Sequence, residues 1–149
     1  MDLNWSEKTY EQLTKQELYS ILKLRVEVFV VEQECPYPEI DGRDPECLHI
    51  WMEDEGGIAA YCRIVPPDQE KESYSIGRVI VHKDYRGKGT ARKLMDKAIQ
   101  VVEANYNTDH IWLSGQEHLR GFYASFGFEE MTGVYLEDGI PHVDMKKNL

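Results

Sequence analysis

The 149-residue chain reads as an α+β protein, a mixed and mostly antiparallel sheet of six to seven strands flanked by helices, with residues 1–149 forming one domain. Three observations predict this. Short runs rich in β-branched and aromatic residues alternate with longer segments of helical apolar period, in the order β-α-β-β-β-α-β-α-β-β. The longest helical segment lies between two strand-like runs, which makes one parallel step whose crossover is right-handed. An apolar content of 42% supplies a core for one domain, and no repeat, low-complexity tract or linker divides the chain.

Asn4 to Ser6 is a short first strand. Lys15 to Phe29 is a helix: Thr14 is placed to cap it with Glu17 three residues on, and Leu18, Ile21, Leu22, Arg25, Val26 and Phe29 line one face. Pro36-Tyr37-Pro38 is a rigid, extended loop. Leu48 to Met52 and Ile58 to Val65 form a hairpin through Asp54-Glu55-Gly56-Gly57, ended by Pro66-Pro67. Ser73 to Val81 is the next strand. A helix from Gly89 to about Asn105 follows, with Ala91, Leu94, Met95, Ala98, Ile99, Val101 and Val102 on its apolar face. Then come a strand at His110–Ser114, a short helix at Leu119, and a closing pair near Phe128–Leu136 and His142–Met145.

The chemistry concentrates where the strand Arg78–Val81 hands over to the long helix through Arg86-Gly87-Lys88-Gly89-Thr90-Ala91. The first N–H groups of a helix lack intrahelical partners and sit at the positive end of the macrodipole, so an anion is the natural ligand. From His82 to Lys97 six cations stand against two anions, a balance of +4 in a chain whose net charge is −10. A small basic island on an acidic protein suits a compact polyanion and argues against nucleic acid, which needs a broad basic face. The acidic remainder favours a cationic second substrate. The same lysines and arginines also fit a solvated helix face. The Walker pattern fails, because Gly89 is followed by Thr90-Ala91, and the dinucleotide fingerprint lacks its third glycine.

Arg86, Gly89 and Ala91 satisfy Arg/Gln-x-x-Gly-x-Gly/Ala, which resembles the acetyl-CoA pyrophosphate loop of the GNAT (Gcn5-related N-acetyltransferase) superfamily. Phe122-Tyr123-x-x-Phe126-Gly127-Phe128 is similar to that family's second signature, a short helix closed by a left-handed glycine at Gly127. Leu24 to Gln33, Pro36-Tyr37-Pro38-Glu39, Asp41-x-x-Asp44, His49 and the ending Glu137 to Met145 resemble its ElaA-like branch. The likeness spans roughly residues 3 to 147, with Thr90-Ala91 standing where many relatives have a larger aliphatic residue and glycine.

The resemblance implies a GNAT fold and acetyl transfer from acetyl-CoA to a primary amine by direct attack. Arg86, Gly87, Lys88, Gly89, Thr90 and Ala91 would hold the diphosphate. Val79, Ile80 and Val81 would carry the pantetheine arm and a main-chain oxyanion donor, and Gln116 would stand near the cofactor. Tyr123 would protonate the departing thiolate. A phenol near pKa ~10 and a thiol near ~8.5 make that transfer only mildly uphill. A packed aromatic beside Phe122 and Phe126 explains the same tyrosine. A lysine-like amine of pKa ~10.4 is neutral to about one part in 10³ at pH 7, so a base matters. Glu27, Glu32, Asp41, His49, His118 and His142 are candidates. Glu32 is carried forward because burial near a helix end would raise its pKa. His49 fits a hydrogen-bonded core histidine better, and Arg25 fits an anchor for an acid of the substrate loop.

A catalytically silent acyl-CoA-binding domain is the rival reading. No metal is expected, because Cys35, Cys47 and Cys62 are odd in number and lack ligand spacing. They fit free thiols in a cytoplasmic protein. The start Met1-Asp2-Leu3-Asn4-Trp5 does not resemble a secretory leader, no run suits a membrane span, and either a monomer or a homodimer is compatible.

Overall fold

The computed structural model describes residues 3–69 and 71–149; Met1 and Asp2, part of the stretch read for a leader, lie outside them. The strands are β1 (Asn4–Thr9), β2 (Leu48–Asp54), β3 (Gly57–Val65), β4 (Ser75–Val81), β5 (His110–Gln116), β6 (Glu129–Glu130), β7 (Tyr135–Glu137) and β8 (Ile140–Asn148). The α-helices are α1 (Lys15–Arg25), α2 (Thr90–Asn105) and α3 (Arg120–Ala124). Among the described residues the strands form one eight-stranded sheet in the order β1-β2-β3-β4-β5-β8-β6, with β7 also on β8. Every pairing is antiparallel except β4 with β5 across α2.

The mostly antiparallel sheet is as expected, with one strand more than foreseen. The run read as Phe128–Leu136 is broken into β6 and β7. Met131 N donates to Asp144 O at 2.8 Å and Asp144 N donates to Thr132 Oγ1 at 3.1 Å, so a side chain replaces the ladder there. The first helix also differs. Its capping box is present, with Glu17 N donating to Thr14 Oγ1 at 3.0 Å and Thr14 N donating to Glu17 Oε1 at 2.9 Å. But the α-helix ends at Arg25 and continues as a π-helix over Val26–Glu32. Gln33 N reaches Val28 O at 3.2 Å and Cys35 N reaches Val30 O at 3.0 Å, each across five residues. Four valines in this stretch are stiff at χ1 and favour the α-helix less than unbranched residues do, which lowers the cost of the wider turn.

Strand alternation then builds two cores. Ile50, Met52, Ala60, Cys62 and Ile64 point one way and pack with Leu94, Met95, Ala98 and Val102 of α2. Trp51, Tyr61 and Ile80 point the other way and pack with Ile21, Leu24 and Val28. Helices therefore cover both faces of the β2–β4 region. The short pairing of β4 with β5 leaves an opening beside it.

Candidate active site

β4 and β5 are paired only at Ser75–Trp112 and Ile76–Leu113. Beyond those two pairs they separate, and among the described residues the β5-facing edge of β4 has no strand partner. The pairing of β3 with β4 slips by one residue between Tyr61–Ile80 and Arg63–Gly77, a bulge in which Arg78 takes φ 51°. A non-glycine residue at positive φ needs an anchor. Arg78 has one: its Nε donates to Glu39 Oε2 at 2.7 Å and its Nη2 to Glu39 O at 3.0 Å. The result is a cleft of about 760 Å³ bounded by β4, β5, the π-helix, the loop through Tyr37 and the β7–β8 hairpin.

Glu39 belongs to a buried charge cluster. Arg25 donates from Nε to Glu39 Oε2 at 2.7 Å and from Nη1 to Asp44 Oδ1 at 2.7 Å. Arg63 Nη1 donates to Asp44 Oδ1 at 2.9 Å and to Asp41 Oδ1 at 3.0 Å. Three guanidiniums thus meet three carboxylates. Burial opposes ionisation of Asp41, yet the Arg63 guanidinium outweighs it and holds the carboxyl well below the usual carboxylate range. Asp44 is lowered likewise against its burial, chiefly by Arg25. The anchoring role read for Arg25 matches this geometry. Asp41 is committed to Arg63. His49 Nε2 faces Asp44 O at 3.0 Å; a carbonyl only accepts, so Nε2 bears the proton and Nδ1 accepts from Tyr61 OH at 2.6 Å. Burial pushes that imidazole's pKa down, and it is a hydrogen-bonded core histidine.

At the far end of β4 lies the glycine turn. Gly87 and Gly89 take φ 77° and 76°, the left-handed region glycine enters without a Cβ penalty. Thr90 is buried, and its Oγ1 donates to Tyr85 O at 3.0 Å, tying the turn down. The first helical bond runs from Lys93 N to Gly89 O at 3.2 Å, so the preceding N–H groups open onto the exposed turn. Arg86 points back from it. Its Nε donates to Val81 O at 3.0 Å, while Nη1 and Nη2 grip Glu32 at 2.8 and 3.1 Å. This corrects the expected burial of Glu32: its side chain is 43% exposed and its carboxylate is occupied by Arg86. Glu27 is exposed too, 3.9 Å from Lys23.

Tyr123 lines the cleft from α3 with only 5% of its surface exposed. Its ring meets Phe122 and Phe128 edge-on and lies over Gly115, where a Cβ would stand 2.8 Å from Cε2. Burial pushes the phenol up to about 12, above the ordinary value assumed from sequence. Gly127, at φ 94°, closes the helix in the left-handed conformation expected. Gln116 donates from Nε2 to Gln33 Oε1 at 3.3 Å, and Cys35 Sγ approaches Asp138 O at 3.5 Å, so the N-terminal arm reaches across to β5 and the hairpin. Beside them, Tyr135 OH donates to Asp144 Oδ1 at 2.6 Å and accepts from Ser114 Oγ at 2.6 Å. His118 is exposed on the rim and His142 half-buried in the floor.

Sequence reasoning missed Gly115, the Glu39–Arg78 anchor and the Ser114–Tyr135–Asp144 chain. A glycine inside a strand is the one usable signal, since it marks close approach; the others join residues distant in sequence. Among the described residues, no group of His, Cys, Asp or Glu is arranged to hold a metal, and no helix is long and apolar enough to cross a membrane. The three cysteines are free and buried.

Residues 7–149 match the family model described as an acetyltransferase (GNAT) domain. Protein ElaA of Escherichia coli is 41% identical over 99% of this chain and 97% of its own length. The crystal structure of E. coli ElaA superposes with a TM-score of 0.92 at 39% identity, covering 98% of this chain and 99% of that one. An acyl-CoA N-acyltransferase from Pseudomonas aeruginosa superposes with a TM-score of 0.93 at 41% identity, over 98% of this chain and 99% of its own.

Two outcomes follow from the geometry. Asp41 and Asp44 have lowered folded-state pKa values, so their pairing stabilises the fold above the ordinary carboxylate pKa of about 4 and is lost as pH falls through the folded values. Urea midpoints should drop on acidification from about pH 7 to about pH 3, and Arg25→Met should cost about 1.5–3 kcal/mol at neutral pH by taking from Glu39 and Asp44 one of the two guanidiniums each one holds. Gly115→Ala should push the Tyr123 ring off β5 at a cost of about 1–3 kcal/mol, read by denaturation and by the ring's position in a crystal structure.

Proposed function

Because the chain belongs to the GNAT acyltransferase family, in its ElaA-like branch, we propose that it is an acetyl-CoA-dependent N-acetyltransferase acting on a primary amine in a ternary complex. One observation carries the proposal. The unpaired edge of β4 leads from the cleft, through a single 3₁₀ turn at Lys83–Tyr85, to a glycine turn at the N-terminus of α2, which would give a thioester and its diphosphate a main-chain track.

Along that track the diphosphate would face the N–H groups of Gly87, Lys88, Gly89, Thr90 and Ala91, with Arg86 beside them. Val79, Ile80 and Val81 would hold the pantetheine arm through main-chain groups; the Ile80 side chain is already spent in the α1 core. An N–H on that edge would polarise the carbonyl. Gln116 would border the thioester end. The amine nitrogen attacks the carbonyl carbon, the C–N bond forms, the C–S bond breaks, and Tyr123 gives its proton to the thiolate. Desolvation that raises the phenol also raises a thiolate lodged beside it, which keeps the two within reach of proton transfer. Glu32 would serve first as the counter-charge of Arg86. The three buried free thiols favour a reducing compartment, the cytoplasm.

Free-thiol release from acetyl-CoA with a panel of primary amines tests the proposal; release no faster with amine than without it supports the silent acyl-CoA-binding reading. Tyr123→Phe should lower turnover by about 10²-fold or more while leaving coenzyme A affinity nearly unchanged by calorimetry. Gly89→Val should weaken coenzyme A binding, because a β-branched residue at φ 76° is strained and its side chain stands over the anion's seat. Unaltered binding in that variant would count against the turn.

A further inference from the structure

The acyl-transfer reading leaves the amine's proton without a destination, and on that reading we propose that His142 receives it. The β5–β8 register places His142 opposite Gln116, and the β7–β8 register places it opposite Tyr135. Its ring stacks on Tyr135 with centroids 6.3 Å apart and lines the cleft at 12% side-chain exposure. Nδ1 lies 2.8 Å from Ile140 O. A carbonyl can only accept, so Nδ1 carries the hydrogen and the neutral ring has its lone pair on Nε2. Among the described residues no hydrogen bond occupies that nitrogen, and its charged neighbour is Glu137 Oε2 at 3.6 Å.

Of the other candidate bases three are occupied and two are solvent-exposed, Glu27 on the π-helix and His118 on the rim of the cleft. Glu32 is held by Arg86, Asp41 by Arg63, and both ring nitrogens of His49 are bonded. Glu27 also stands beside Lys23. His142 also has a place to send the charge. Its Nε2 is 3.6 Å from Glu137 Oε2, whose side chain is 54% exposed, so an imidazolium meets a carboxylate with solvent beyond.

Position relative to Tyr123 completes the case. Gly115 faces the Tyr123 ring on the α2 side of the sheet. Gln116, the next residue, points to the opposite face, where it neighbours His142. Acid and base therefore flank the end of β5 from its two faces, with the opening between β4 and β5 between them. Nε2 takes the extra proton of the arriving ammonium and passes it through Glu137 to water. The neutral amine nitrogen then bonds to the carbonyl carbon, the C–S bond breaks, Tyr123 protonates the thiolate, and the proton shed by the new amide nitrogen returns to solvent while Tyr123 regains one from it. The groups facing the ring are Glu137, Tyr135 (itself bonded to Asp144) and the uncharged Gln116, with Asp138 on the same hairpin.

Nitrogen NMR of ¹⁵N-histidine-labelled wild-type protein with acetyl-CoA present should find His142 as the Nδ1–H tautomer at neutral pH. An Nε2–H tautomer overturns the assignment whatever the acceptor. His142→Asn keeps a donor to Ile140 O and removes the basic nitrogen. With strongly basic primary amines near neutral pH it should lower kcat about 100-fold, with KM for acetyl-CoA unchanged. The deficit should shrink at higher pH and with weakly basic amines, which arrive neutral. A loss equal at every pH and for every amine marks a structural role and overturns the assignment, as does full activity. A wild-type protein inert toward all amines overturns the acyl-transfer reading itself and this assignment with it.

Discussion

Two residue pairs hold β4 against β5, Ser75 with Trp112 and Ile76 with Leu113, and the properties of the site follow from where that contact stops. A parallel pair that ran on would bury its main-chain groups in a ladder and leave nothing for a ligand. Ended after two pairs, it leaves one polar edge of β4 open in the middle of a sheet, an arrangement that costs hydrogen bonds unless something occupies it. The far end of the opening is the exposed glycine turn, and its flanks carry Tyr123 on one face and His142 on the other.

Charged groups anchor the bulge and the loop that border this separation. Arg78 sits at positive φ in the bulge and is fixed there by Glu39, which Arg25 shares. Buried charges of this kind contribute little net stability compared with an apolar core. What they supply is position: the loop through Pro36 and Asp44 is pinned to α1, β3 and β4 at once, and with it the wall of the cleft. The π-helix joins that wall to α1, and its wider turns bring Glu32 to Arg86 and carry the chain to Gln33 and Cys35, which contact Gln116 and the β7–β8 hairpin.

Much of this was legible in the chain because the signals are local. The helical period of Leu94 to Val102, the Thr14–Glu17 box and the glycines of the turn report directly on backbone conformation. The sheet order could be reached from the same runs. Signals that depend on distant partners were not legible. Glu32 follows an apolar run and so looked sheltered, but its surroundings are set by Arg86, fifty-four positions away in sequence. Valine-rich Val26–Val31 continued a helical pattern in letters, which does not distinguish four-residue from five-residue hydrogen bonds. Nor could periodicity alone separate His142 from His49, since their difference lies in which ring nitrogen a carbonyl claims.

If Arg86 takes an anion as proposed, the Arg86–Glu32 bridge makes Glu32 a tethered competitor for it. An anion that seeks the Arg86 guanidinium must displace a carboxylate that never diffuses away, whose local abundance is set by chain geometry and not by the medium. Whatever wins that guanidinium sets free the last residue of the π-helix. On the proposed reading, occupancy at the turn and the pairing of Glu32 are therefore two ends of a single exchange, written into one shared cation.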